Sequence, residues 1–370
     1  VLFRSSPGNF TASKLAWVKQ NEPEVFSRIS RFMLPGDYIA YKLSGVISTT
    51  ETGLSEQILW DFRDGCRADF VADYFGLSTD LIPDTVPSIG IQALTNAATQ
   101  DLLGIPEGTP ICYRAGDQPG NAFSLGVLQP GEIAATGGTS GVVYGVTDEP
   151  KYDPLSRVNT FLHVNHTTAD PRLGVLLCIN GTGILNSWLR RNVCPELSYS
   201  DMNQLAAQAP AGCDALTVLP FGNGAERILA GSFTGASFDG IDLVRHSRAH
   251  LLRAAQEGIA FSFLYGIDIM RDLGLSPSVI RAGRANLFLS PLFRQTLATI
   301  TGARIELFDT DGSLGAARGA ALGAGFYKDT SETFTSLERV GVTLPEDSWK
   351  AALTDAYARW KTNLETTLKQ

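Results

Sequence analysis

The residues best suited to chemistry lie in Ala115-Gly116-Asp117-Gln118-Pro119-Gly120 and, a short way on, in the turn Gly137-Gly138-Thr139-Ser140-Gly141. Asp117 follows Pro110-Ile111-Cys112-Tyr113, which reads as a short strand. That places its carboxylate on a loop at a strand end, with little side-chain bulk beside it to keep a ligand away. The glycine turn lies between two β-rich runs, Glu132 to Thr136 and Val142 to Thr147. Successive backbone N–H groups in such a turn can form a concave anion site. A carboxylate close to a phosphate cradle points to phosphoryl transfer. Each feature taken alone also has a plainer reading: Asp117 as an ordinary loop aspartate, the turn as a β-hairpin.

The elements that must position these residues read as follows. Helices are expected over Thr11 to Asn21, from Pro23, over Tyr38 to Leu43 with Gly45 as its stop, over Asp69 to Phe75, and over Thr95 to Leu103 closed by Gly104. Ser48 to Thr52 reads as a polar loop, and a helix is expected to start at Asn121. The character changes at Pro130-Gly131. A hairpin, the strand Leu173 to Ile179 and the helix Ile184 to Asn192 follow, with Gly181-Thr182-Gly183 as their turn. Further strands are expected over Leu216 to Phe221, Ser278 to Ala282 and Arg304 to Phe308. Helices are expected over Arg248 to Leu273, Pro291 to Ile300 and, on the surface, Glu346 to Leu368. Gly315, Gly319 and Gly323 recur every fourth residue in an alanine-rich helix, a spacing that lets helices approach closely. This order fits an α/β domain with a mixed sheet.

Composition sets the outer limits. The chain has 370 residues, 44% hydrophobic and 18% charged, which suits about two globular domains. A net charge of −8 leaves no basic surplus for a nucleic-acid backbone, although a nucleotide ligand needs only local positive charge. The five cysteines show no metal-ligand spacing, which suits a reducing, cytoplasmic setting. His163 and His166 have no third ligand nearby and read as polar loop residues. No apolar run reaches membrane-span length. The stretch Val1-Leu2-Phe3-Arg4-Ser5 has no signal-peptide core and reads as a scar or a truncated end. No P-loop is present, and neither Gly222-Asn223-Gly224 nor Gly138-Thr139-Ser140-Gly141 fits a dinucleotide fingerprint or a nucleophile elbow.

A series of stretches, in order along the chain, resembles the FGGY carbohydrate kinases. Asn9 to Glu24 is similar to the helix signature of that family, and Leu34-Pro35-Gly36-Asp37-Tyr38 with Leu43-Ser44-Gly45 to the segment after it. Ala115-Gly116-Asp117-Gln118 resembles the segment carrying the catalytic aspartate, and Gly137 to Gly141 the second phosphate loop. Gly181-Thr182-Gly183 before Trp188, and Ala282-Gly283-Arg284-Ala285-Asn286, resemble nucleotide contacts, although the usual paired glycines are reduced to Gly283. The segment Gly231 to Glu257 is longer than the family's second signature.

The resemblance implies an actin-like, ribonuclease H-like two-domain ATPase fold. Residues 1–128 would belong to the N-terminal, sugar-binding domain and 131–328 to the C-terminal, nucleotide-binding domain, with 329–370 a C-terminal helical extension. It implies ATP and Mg²⁺, and phosphorylation of a sugar hydroxyl, foremost D-xylulose to D-xylulose 5-phosphate. Asp117 would be the general base and Gln118 a sugar contact. Gly138, Thr139, Gly183, Gly283, Arg284 and Asn286 would serve the nucleotide. Ribulose, glycerol and gluconate stay open as acceptors, as does a non-catalytic nucleotide-binding role, and a homodimer is allowed. The first domain is expected to be incomplete, lacking the first phosphate loop with its metal-linked Asp. The metal ligands are therefore not assigned. The chain alone is accordingly expected to be catalytically silent, with an exposed, aggregation-prone first part.

Overall fold

The computed structural model describes Gly8 and residues 10–369. Val1 to Ser5 and Asn9 lie outside the described residues, and with them the reading of the first five residues.

Seven strands form the main sheet: β1 (Ile133–Gly137), β2 (Gly141–Thr147), β3 (Asn159–Leu162), β4 (Leu173–Ile179), β5 (Val279–Gly283), β6 (Arg304–Phe308) and β7 (Arg339–Thr343). Their order is β7-β6-β5-β1-β2-β4-β3. β5 runs parallel to β1 and β6, and the other pairings are antiparallel, so the sheet is mixed. β1 and β2 form the expected hairpin, with Gly137 opposite Gly141.

Side chains alternate across a strand, and here each face meets a different partner. Ile133, Ala135, Val143, Val175, Leu177 and Ile179 face the main core, which includes Ile259, Phe263 and Ile267 of the helix Arg248–Asp272. Ala134, Tyr144 and Val146 face Ala122, Leu125 and Val127 on the other side. A sheet covered on both faces explains the near-continuous apolar strands.

The first part of the chain is built differently. Among the described residues its strands form only two-stranded ribbons, such as Ile89–Leu94 against Pro110–Tyr113. Its cores are small, one around Leu54, Leu59 and Val71, another around Leu15, Ala72 and Leu77. A buried polar network ties it together. Arg114 Nη1 donates to Asp37 Oδ1 at 2.8 Å and to the Ser48 carbonyl at 2.9 Å, Nε donates to Gln92 Oε1 at 2.8 Å, and Thr49 Oγ1 donates to Asp37 Oδ2 at 2.9 Å. Burial still lifts the Asp37 carboxyl above its ordinary value.

The two parts meet along the helix Gly312–Gly323. A Cβ on Gly315 would collide with Ser124, one on Gly319 with Tyr113, and one on Gly323 with the Cys112 carbonyl. The four-residue glycine spacing is therefore a packing device, as read from the sequence.

Three expectations need correction. The helix expected from Asn121 begins at Asp117 and runs to Ser124, so Asp117 is a helix residue and not a loop residue. Residues 48–52 are not a loop: Thr50 caps a helix Glu51–Glu56 by accepting from Gly53 N at 2.9 Å. The segment 329–370 is more than a surface extension. It supplies β7, and its helix Asp347–Thr367 buries Leu353, Ala356, Trp360 and Leu364 in the main core. Trp360 Nε1 donates to the Val218 carbonyl at 3.0 Å. Charges on the outer face hide that apolar stripe in the sequence.

Candidate active site

Asp117 and Gln118 line a cleft of about 720 Å³ together with Thr11, Lys14, Glu56 and Arg227. Asp117 is the first residue of its helix, where the unpaired N–H groups favour a negative charge. Its Oδ1 accepts from the Gln118 backbone N–H at 2.8 Å, and Oδ2 from Gln118 Nε2 at 3.2 Å. The carboxylate is exposed to the cleft and oriented by its neighbour. The sequence reading places a loop over Ser48 to Thr52 and assigns no element to residues 53–56, so it leaves out the helix that carries Glu56. The Thr50 cap before Gly53 was the available signal. Its Oε1 accepts from Gly116 N–H at 3.2 Å, and burial, with help from the charges of Asp117 and Asp37, pushes its carboxyl up to about 7.

A second cleft, of about 1000 Å³, gathers Gly138, Thr139, Gly183 and Asn286, with Ser187 and Arg191 on its wall. The carbonyls of the glycine turn point inward: Gly138 O accepts from Gly183 N–H at 3.1 Å, and Thr139 O from Ile184 N–H at 3.0 Å and Thr182 Oγ1 at 3.1 Å. The N–H groups of Gly138, Thr139 and Ser140 have no protein acceptor among the described residues. That is the arrangement an anion cradle needs. Gly183 permits it, since a Cβ there would strike the Gly138 carbonyl. Gly138 itself has room, with Asn286 Nδ2 the nearest atom at 3.7 Å. Asn286 holds a left-handed φ of 52°, a conformation asparagine tolerates. Gly283 and Arg284 stand outside this lining. Gly283 ends β5, and exposed Arg284 donates its N–H to the Phe308 carbonyl at 3.0 Å.

The two clefts share one strand. Cys178 and Asn180 at the end of β4 face the Asp117 cleft, and Gly183 three residues later faces the other. Glu226, also absent from the sequence reading, fixes the turn between them. Its carboxylate accepts from Asn180 N–H at 2.9 Å and Gly181 N–H at 2.7 Å. Burial raises its carboxyl, and these two bonds oppose the rise.

His163 lies in the loop just after β3, as expected, but it is not a solvent-facing polar residue. It is fully buried, with Nδ1 at 3.0 Å from Tyr144 Oη and Nε2 at 3.0 Å from the Val127 carbonyl, and burial lowers its pKa to about 3. No group of three His, Cys, Asp or Glu able to hold a metal occurs among the described residues, and no described helix is long and apolar enough to cross a membrane.

Known proteins resemble this chain over most of its length. Residues 6–124 match the N-terminal domain of the FGGY family of carbohydrate kinases, and 133–326 its C-terminal domain. The chain is 30% identical to a xylulose kinase of Haemophilus influenzae over 364 residues, covering 96% of this chain and 72% of that protein. It is 30% identical to a xylulose kinase of Bacillus subtilis, covering 87% and 64% respectively. A ligand-bound xylulose kinase from Lactobacillus acidophilus superposes with a TM-score of 0.89 at 22% identity, covering 96% of this chain and 72% of that one. The chain thus spans about two thirds of the length of these relatives, and its fold is the actin-like fold of sugar kinases.

Proposed function

Because this chain belongs to the FGGY family of carbohydrate kinases, we propose that its two clefts hold a sugar and ATP for transfer of the γ-phosphoryl group to a sugar hydroxyl. D-xylulose is the foremost acceptor, on the strength of the xylulose kinases at 30% identity. One observation carries the reading. A carboxylate and an amide stand in one cleft, a turn with unpartnered N–H groups in the other, and one strand end joins them.

Asp117 takes the proton of the attacking hydroxyl, and Gln118 hydrogen-bonds neighbouring hydroxyls. The N–H groups of Gly138 to Ser140, with the Thr139 hydroxyl, receive phosphate oxygens. Asn286 and the wall around Ser187 and Arg191 take the rest of the nucleotide. Phosphoryl transfer asks the protein mainly for positioning and charge stabilisation, and these groups provide both. A divalent ion bound by the phosphates would neutralise their charge. The described residues form no metal cluster of their own, and none of the roles above depends on one. Gly283 and Arg284 are given no role here, since neither lines the cleft.

The test is ADP release by the whole protein with ATP and, in turn, D-xylulose, ribulose, glycerol and gluconate. D-xylulose is expected to give the highest kcat/KM. Solved gluconate and glycerol kinases of the same fold make those acceptors the first rivals. Tight ATP binding without ADP release from any acceptor would favour a nucleotide-binding module instead.

A further inference from the structure

Glu56 stands where the proposed acceptor site meets the helix of Asp117. Its Oε1 accepts the Gly116 N–H at 3.2 Å, and its carboxyl group fills the space a Cβ of residue 116 would need. Gly116 is the N-cap of the Asp117 helix. The support behind Glu56 is fixed: Ser55 Oγ accepts from Leu162 N–H of β3 at 3.0 Å, and Gln57 Nε2 donates to the Gly53 carbonyl at 3.0 Å. Glu56 therefore reaches from an anchored helix to the peptide just before Asp117.

The site is a costly one for an acid. Glu56 makes no ion pair among the described residues and a single hydrogen bond, and burial disfavours its charged form. A glutamine of the same size would fill the space at lower cost. An acid kept in a cleft at such a cost is a candidate for function.

We propose that Glu56 is a positioning residue: as a carboxylate it grips the Gly116 amide and so sets Asp117 against the acceptor hydroxyl. The inference rests on reading this cleft as the acceptor site. An N–H bond to a carboxylate is roughly twice as strong as one to a neutral acceptor, so the grip tightens when Glu56 ionises. Asp117 and Asp37 face it with like charge, and Tyr113 and Tyr144 sense its charge from the neighbouring strands. Lys14 and Arg227 lie on the cleft wall. With burial as the main cause, Glu56 ionises only near pH 7, and the grip should strengthen as pH rises through that value.

Glu56→Gln keeps size and an acceptor oxygen but cannot ionise. In wild type the Gly116 amide resonance should shift with a midpoint near pH 7, and in the variant it should not. For the whole protein, kcat/KM for D-xylulose should rise about tenfold between pH 6 and 8, as one titrating group predicts. In the variant it should stay low and flat, with KM for ATP within about twofold of wild type. A merely structural role would alter melting without moving the pH profile. A Gly116 resonance that does not titrate, or a variant with the wild-type profile, overturns the proposal. Absence of ADP release at every pH would instead sink the kinase reading. D-xylulose binding by calorimetry, with the same pH dependence in wild type and its loss in Glu56→Gln, would then decide the role of Glu56.

Discussion

The two clefts use different materials. The Asp117 cleft offers charged and polar side chains: two carboxyls, the amides of Gln118, Asn159 and Asn180, a lysine and an arginine. The Gly138 cleft adds backbone: a glycine turn whose carbonyls are held by Gly183, Ile184 and Thr182 and whose N–H groups have no protein acceptor among the described residues, beside side chains such as Ser187, Arg191 and Asn286. The difference follows from what each would hold. A sugar hydroxyl must lose a proton, which needs a side chain that can take one. Phosphate oxygens need several donors at close range, which peptide N–H groups supply when no side chain stands in the way. Side-chain sites should fail by chemistry and backbone sites by shape.

The largest expected effect is on the side-chain cleft. Asp117→Asn should lower kcat by roughly 10²–10⁴-fold while leaving ATP affinity within about twofold. Steady-state kinetics with nucleotide calorimetry check this, and equal loss of both would mean that the clefts are not separable in this way.

Next comes shape. Gly183→Val drives a side chain into the Gly138 carbonyl. Overpacking of this kind costs about 1–3 kcal/mol. ATP affinity should drop at least about tenfold with D-xylulose affinity retained, both read by calorimetry. Weakening of both ligands together would point to general misfolding.

A smaller effect of opposite sign concerns Glu56. Its carboxyl is raised from 4.5 to about 7 in the fold. Between those values the native state binds more protons than the unfolded chain, so stability falls as pH rises, and the full cost is present above about 7. Glu56→Gln should remove that cost, gaining about 2 kcal/mol at pH 8 relative to pH 5 after allowance for water in the cleft. Asp37, Glu226 and Glu257 are also raised, so the informative quantity is the difference in denaturant midpoint between variant and wild type at each pH. A stabilised variant with weakened activity would place Glu56 among the residues that trade stability for function.

The smallest effect separates the glycines of the turn. Gly138 has 3.7 Å of clearance for a Cβ, so Gly138→Ala should change ATP affinity by no more than about threefold. Gly138→Val projects further into the cleft and should weaken ATP more, with sugar binding intact. An alanine as damaging as the Gly183 substitution would show that the phosphates lie closer to Gly138 than the turn alone implies.

What the sequence determined by itself was local. Short, local signals place β4, β6 and the helix Asp69–Phe75 at the observed residues, because a strand or a short helix depends on near neighbours. The order of the motifs named the family, and the four-residue glycine spacing announced the tight crossing of the helix Gly312–Gly323. Tertiary structure decided the rest. Glu56 and Gly116 are sixty residues apart, and no spacing rule joins them. Trp360 reads as part of a charged helix until its indole meets the Val218 carbonyl. Gly283 and Arg284 sit within three residues of Asn286 in the sequence, yet the fold leaves only Asn286 on the cleft wall. The physical reason is common to all three. Side-chain and turn propensities act over a few residues, whereas burial, and with it the pKa of Glu56, is fixed by which distant surfaces pack together.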